Sequence, residues 1–176
     1  MMTTPTPGQK EGFMQLEVDS SSTEEAVIIM RRTFDAPREL VWATLTDPKH
    51  VVKWYGGHGF ENPVCEMDVR PGGRWRHVMR TPDGNEFPME FIFIEVVKPE
   101  KLVWGSAASP EQLGAGPHNN IITVTLEEAG RQTKWKMVAR FHSLADREMA
   151  VQMGFATVLG QGTEKFDALL KTLVRS

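Results

Sequence analysis

The chain has one cysteine, Cys65, among 176 residues. A single thiol excludes an intrachain disulfide and a cysteine-rich zinc site, and it suits the reducing cytoplasm. The five histidines show neither HxH nor HxxxH spacing, so no metal site is expected from them. No apolar run approaches the ~20 residues that cross a bilayer. The opening MMTTPTPGQKEG lacks the apolar core of a signal peptide. A net charge of -3 leaves no cationic excess for nucleic acid. Arg70, Arg74, Arg76 and Arg80 cluster, but they alternate along one segment as a solvated strand face does. Gly56-Gly57-His58-Gly59 lacks the lysine and the following helix of a phosphate loop, and no nucleophile elbow frames a serine. These absences leave no nominated catalytic residue and no cofactor. Neither nucleic acid nor membrane is expected as a partner.

What is present is a globular composition, with 40% hydrophobic and 24% charged residues, and enough chain for one domain with a core. Residues 1–25 are expected to form a flexible tail, with Phe13–Val18 as a short extra strand, and residues 26–176 the folded domain. Ala26–Phe34 reads as a strand. Pro37 and then Asp47-Pro48 open two short helices. Six further strands are expected near 63–69, 74–81, 86–97, 102–106, 119–128 and 131–142, joined by turns such as Arg70-Pro71-Gly72-Gly73 and Thr81-Pro82-Asp83-Gly84. Residues 107–117 read as a loop. Apolar residues from Met149 to Leu173 recur at helical spacing behind a Ser143 cap, which predicts one helix from Leu144 to Val174. Glycines 154, 160 and 162 interrupt it, each at a cost of up to ~1 kcal/mol, and allow a kink or a close approach.

Residues at particular places in this order carry a resemblance. They are Arg32-Thr33-Phe34-Asp35-Ala36-Pro37, Val41-Trp42, Leu45-Thr46-Asp47-Pro48 and Lys53-Trp54-Tyr55-Gly56. Asp68-Val69-Arg70-Pro71-Gly72-Gly73, Pro82-Asp83-Gly84, Pro99-Glu100-Lys101-Leu102, Phe141-His142-Ser143 and Arg147 complete the set. Together they resemble the START-like (SRPBCC) superfamily, and within it the bacterial single-domain relatives of the activator of the heat-shock-protein-90 ATPase. The resemblance implies an α+β helix-grip fold. In it a curved antiparallel sheet of about seven strands wraps a long C-terminal helix, and two short helices follow the first strand. It also implies apolar ligands bound between sheet and helix. His77 stands where relatives usually carry an aromatic or aliphatic residue, Phe91 where glycine is frequent, and Thr163 where tryptophan is frequent. The shape of the cavity is therefore expected to differ.

Strand alternation then selects candidate lining residues. If Trp75 points inward, so do His77 and Met79, while Arg74, Arg76 and Arg80 face solvent. The same parity turns Thr133, Trp135, Met137, Ala139 and Phe141 inward. Glu86–Val97 is apolar on both faces, so alternation leaves Phe91/Phe93 and Ile92/Ile94 equally eligible. The second face of that strand is expected to be covered by the short helices or by the partner in a homodimer. The candidate ligand-binding set is Trp54, Trp75, His77, Met79, Phe91 and Phe93, with Trp104, Trp135, Met137, Met149 and Met153. Trp54 reads equally as a core anchor, and with Tyr55 and His58 it sits where the cavity mouth is expected. Methionine suits such a site because an unbranched, polarizable side chain adapts to varied ligands. His77 is the sharpest polar candidate, as a hydrogen-bond anchor or a base, set against a buried neutral histidine satisfied by its neighbours.

Three functions compete on this reading. The first is a module that binds a small apolar or aromatic molecule. The second is a cyclase- or hydrolase-type enzyme using the same cavity, for which His77 with Glu90 or Glu95 is the pair on offer. The third is a co-chaperone-like interaction protein of the stress response. It is disfavoured because the eukaryotic activators carry an additional N-terminal domain, whereas about 25 residues precede the first strand here.

Overall fold

The computed structural model describes residues 16–113 and 118–175. In chain order it contains β1 (Glu17–Asp19), β2 (Val27–Phe34), α1 (Arg38–Thr46), α2 (Pro48–Trp54), β3 (Glu61–Met67), β4 (Arg74–Arg80) and β5 (Glu86–Val97). Then come β6 (Lys101–Ser106), α3 (Pro110–Leu113), β7 (Asn120–Ala129), β8 (Gln132–Phe141), α4 (Leu144–Gln152) and α5 (Phe155–Arg175). All strand pairs are antiparallel, in one eight-stranded sheet ordered β1-β2-β8-β7-β6-β5-β4-β3. The helix-grip architecture expected from the sequence is the one observed. The eighth strand is β1, which pairs with the edge of β2. Of the expected Phe13–Val18 strand, residues 13–15 lie outside the described residues, as does residues 1–12 of the tail. The expected loop 107–117 holds the short helix α3, and its residues 114–117 are likewise outside the description.

Local chemistry sets the element ends. The Asp47 side chain accepts from the Lys49 amide with Pro48 in the first turn of α2, and Ser143 accepts from the Asp146 amide to open α4. Gly72 takes the positive φ of +81° that the turn before β4 requires.

The single helix predicted from Leu144 to Val174 is a correction. The chain forms two helices, broken at Met153-Gly154, where Gly154 has φ +82°. Only glycine adopts that conformation without steric cost, so it ends α4 and re-aims the chain. Helical spacing persists on both sides of the break, which is why periodicity alone missed it. The buried face of α5, Gly162, Thr163, Phe166 and Leu170, crosses the inner sheet face. There Phe166 meets Phe34 and Trp54, with ring centroids 4.9 and 5.2 Å apart.

Parity on β8 is as expected, with Thr133, Trp135, Met137, Ala139 and Phe141 all buried. The register decides what alternation left open on β5. Phe91 lies opposite Trp75 and Phe93 opposite Trp104, so both point inward. Ile94 points outward and is 52% exposed, so the short helices do not cover it.

Candidate functional site

Trp75 is the hub of the inner face. Its ring stacks on Phe93 at 6.1 Å and 11°, and it lies 4.9 Å from Phe91, 5.5 Å from Trp104 and 5.6 Å from Tyr55. These rings fill one another's space at the closed end of the sheet, where Trp75 and Phe93 are 1% and 0% exposed. A hydrogen-bonded relay runs through this packing. The Trp75 indole N–H donates to His77 Nδ1 at 3.1 Å. Because indole nitrogen can only donate, Nδ1 must accept, which makes His77 neutral and puts its proton on Nε2. That proton goes to Asn62 Oδ1 at 2.7 Å. The Asn62 amide in turn donates to the carbonyls of Val52 and Tyr55, at 2.9 and 3.1 Å.

His77 therefore has no nitrogen left for a ligand. Its expected role as polar anchor or base is corrected: it is the buried neutral histidine, satisfied by Trp75 and Asn62. Burial lowers its pKa from 6.5 to about 4. Since the unfolded chain binds a proton in that interval and the folded one does not, the contribution is complete above pH 6.5 and is lost as pH falls toward 4. We expect wild-type stability to fall by about 2–3 kcal/mol across that window through this group. In urea titrations at several pH values, His77→Phe should show a shallower acid-side slope. An identical slope would remove His77 as the source.

The inner face opens at its other end. On β4 and β5 the inward positions pass from fully buried Trp75, His77 and Phe93 to half-buried Met79, Met89 and Phe91. They end at Phe87, which lies opposite Met79 and is 47% exposed. The first seven residues of α5, 155–161, include none that is buried. The loop after α2 borders this apolar shelf and is tied to α5. The His58 amide donates to Gln161 Oε1 at 3.0 Å, Lys165 Nζ donates to the Gly57 carbonyl at 2.8 Å, and His58 Nε2 lies 3.0 Å from the Glu164 carboxylate. Gly162 permits this approach, since a Cβ there would stand 3.2 Å from the Trp54 carbonyl oxygen.

The predicted residues thus divide. Trp75, His77, Phe93, Trp104, Trp135 and Met137 are buried together on the inner face. Met79 and Phe91 belong to the open shelf. Trp54 is an anchor: its indole N–H donates to the Thr44 carbonyl at 2.8 Å while its ring packs on Phe166. Met149 and Met153 are not brought to the site. They are 42% and 68% exposed beside the helix break, because α4 does not continue the buried face of α5. Sequence reasoning did not place Phe87, Met89 and Asn62 in the site. Phe87 and Met89 share the parity of Phe91, so the signal was present once that strand's face was known. Asn62 lies within an irregularity in the β3–β4 register and gave none.

No group of three or more His, Cys, Asp or Glu among the described residues is placed to hold a metal. A hollow of about 450 Å³ lies on the outer sheet face, where Glu17 stands opposite Arg31 and Glu127 opposite Lys134. No described helix is long and apolar enough to cross a membrane.

Residues 35–171 match the family model described as activator of Hsp90 ATPase homolog 1-like protein. No curated protein matches the chain. Among solved structures, a protein of Nitrosomonas europaea is 28% identical, with a TM-score of 0.79 over 88% of this chain and 99% of its own. One from Arthrobacter aurescens is 25% identical, with a TM-score of 0.76 over 89% and 91%. An AHSA1-like protein from Aeromonas hydrophila shares the fold at 18% identity, with a TM-score of 0.61 over 80% and 93%.

Proposed function

The chain belongs to the activator of Hsp90 ATPase homolog 1-like family, START-like proteins that are generally ligand-binding, and from that premise we propose that it binds a small, flat apolar or aromatic molecule. The site is the open end of the inner sheet face. The observation that carries this reading is the run of inward apolar positions left uncovered there, with Phe87 47% exposed although its strand parity is that of the core. An aromatic ligand covering Met79, Phe87, Met89 and Phe91 removes apolar surface from water, and the two thioethers adapt to its outline. Ligand sites are mostly apolar with few polar groups, which supports the reading of these side chains as such a site.

The enzymatic reading has less support. His77 is spent in the relay, and both of its suggested partners face outward. Glu90 pairs with Arg74 at 3.1 Å and Glu95 with Lys101 at 2.9 Å. A thermal-shift panel of flat aromatic, polyketide-like and fatty-acyl compounds tests the binding reading. A true ligand at a hundredfold its dissociation constant stabilises the fold by ~2.7 kcal/mol. We expect saturable shifts from the flat aromatic members. No shift from any compound would overturn the proposal.

A further inference from the structure

We propose that the ligand carries a neutral hydrogen-bond-accepting oxygen on its aromatic frame, and that the hydroxyl of Tyr55 is the donor that receives it. This rests on the reading of the shelf as a ligand site and adds the chemistry of what fits there. The donors around the shelf can be followed one by one. The N–H groups of Trp54, Trp75 and His77 go to Thr44, His77 and Asn62, and both amide hydrogens of Asn62 reach carbonyls. The Tyr55 hydroxyl instead meets the Met89 sulfur at 3.7 Å. A thioether is a weak acceptor, and an unbranched methionine at the edge of the shelf can withdraw. A ligand oxygen at an ordinary O–H···O separation of about 2.7–2.8 Å would be the better partner.

The donor is also held in position. The Tyr55 ring lies edge-on to Trp75 at 79° and 4.2 Å from the His77 ring, and the Tyr55 carbonyl accepts from Asn62. Burial raises the phenol above its ordinary range, so it stays an O–H donor at neutral pH. Lys165 and Arg32 each have partners, although Nε of Arg32 has none. Lys165 donates to the Gly57 carbonyl, while Arg32 donates to Thr163 at 3.1 Å and pairs with Asp167 at 3.6 Å. A neutral carbonyl or ether fits this apolar shelf better than a carboxylate, whose charge would lose its water there.

The test compares two probes of one shape, 2-acetylnaphthalene and 2-isopropylnaphthalene, titrated by tryptophan fluorescence. The readout is the ratio of their dissociation constants in wild type, Tyr55→Phe and Met89→Leu. Loss of one hydrogen bond should move that ratio about tenfold against the ketone in Tyr55→Phe. Met89→Leu, which removes the hydroxyl's present partner, should move it a few-fold toward the ketone. If both probes bind wild type and the ratio is unchanged in both variants, the donor assignment is wrong while the ligand site stands. If neither probe binds wild type, the ligand site and this assignment fall together.

Discussion

Replacing Arg147 by alanine is expected to lower stability by about 3–5 kcal/mol, because several backbone carbonyls lose one charged donor, at ~1–3 kcal/mol for each left unserved. Arg147 is 4% exposed near the start of α4. Its guanidinium donates to the backbone carbonyls of Ser22, Val27 and Glu25, at 2.7, 3.2 and 3.4 Å, and to the Glu148 carboxylate at 2.9 Å. A planar fork satisfies these divergent acceptors, while an ammonium group is a single point of charge. Lysine at this position should therefore recover less than half of the loss. Urea unfolding of the two variants measures both numbers. Amide exchange should also quicken at Val27, where the segment that Arg147 holds enters β2. An alanine variant as stable as wild type would show that water serves these carbonyls as well.

Trp75→Ala should have an effect of similar size, about 3–5 kcal/mol, because it deletes the largest fully buried side chain. The change opens a void among Phe91, Phe93, Trp104 and Tyr55, and it leaves His77 Nδ1 without its donor. Trp75→Phe separates the two losses. It keeps one six-membered ring and removes the N–H with a smaller share of the volume, so it should cost less, about 1–3 kcal/mol, near the range of one buried unsatisfied acceptor. It should also weaken the acid sensitivity assigned to His77, since an imidazole freed of the indole donor can accept a proton at Nδ1. Denaturation midpoints of the pair, taken at pH 7 and pH 5, distinguish packing from the relay. Equal costs for both variants at pH 7 would show that the indole N–H, not the ring volume, dominates.

The strands of this fold were legible because β8 alternates cleanly. Lys134, Lys136 and Arg140 mark its wet face and leave Trp135, Met137 and Phe141 no choice of direction. β5 was not legible in that way. Its Phe91, Ile92, Phe93 and Ile94 satisfy either face, and only hydrogen-bonded register with β4 and β6 selects the inner pair. The last helix shows another limit. Apolar spacing carries across Gly154 unbroken, yet one glycine at positive φ separates the segment that covers the sheet from the one bearing exposed Met149 and Met153. At the site, aromatic and methionine content drew notice to the inner face. What sequence could not show was which polar groups are already spent. His77 looked available because Asn62, 15 residues away, joins it only after β3 and β4 pair. Tyr55 gained interest by the same logic, as the donor left with sulfur for a partner.

The most direct test of the ligand site is a titration of methionine methyl resonances with 2-acetylnaphthalene. The ten methionines report on several parts of the fold at once. Binding at the open end of the inner face predicts saturable shifts at Met79 and Met89, with one dissociation constant for both. Met149 and Met153, exposed beside the helix break, should stay in place. Shifts confined to Met149 and Met153, or no saturable change at Met79 and Met89, would contradict a ligand site on this face.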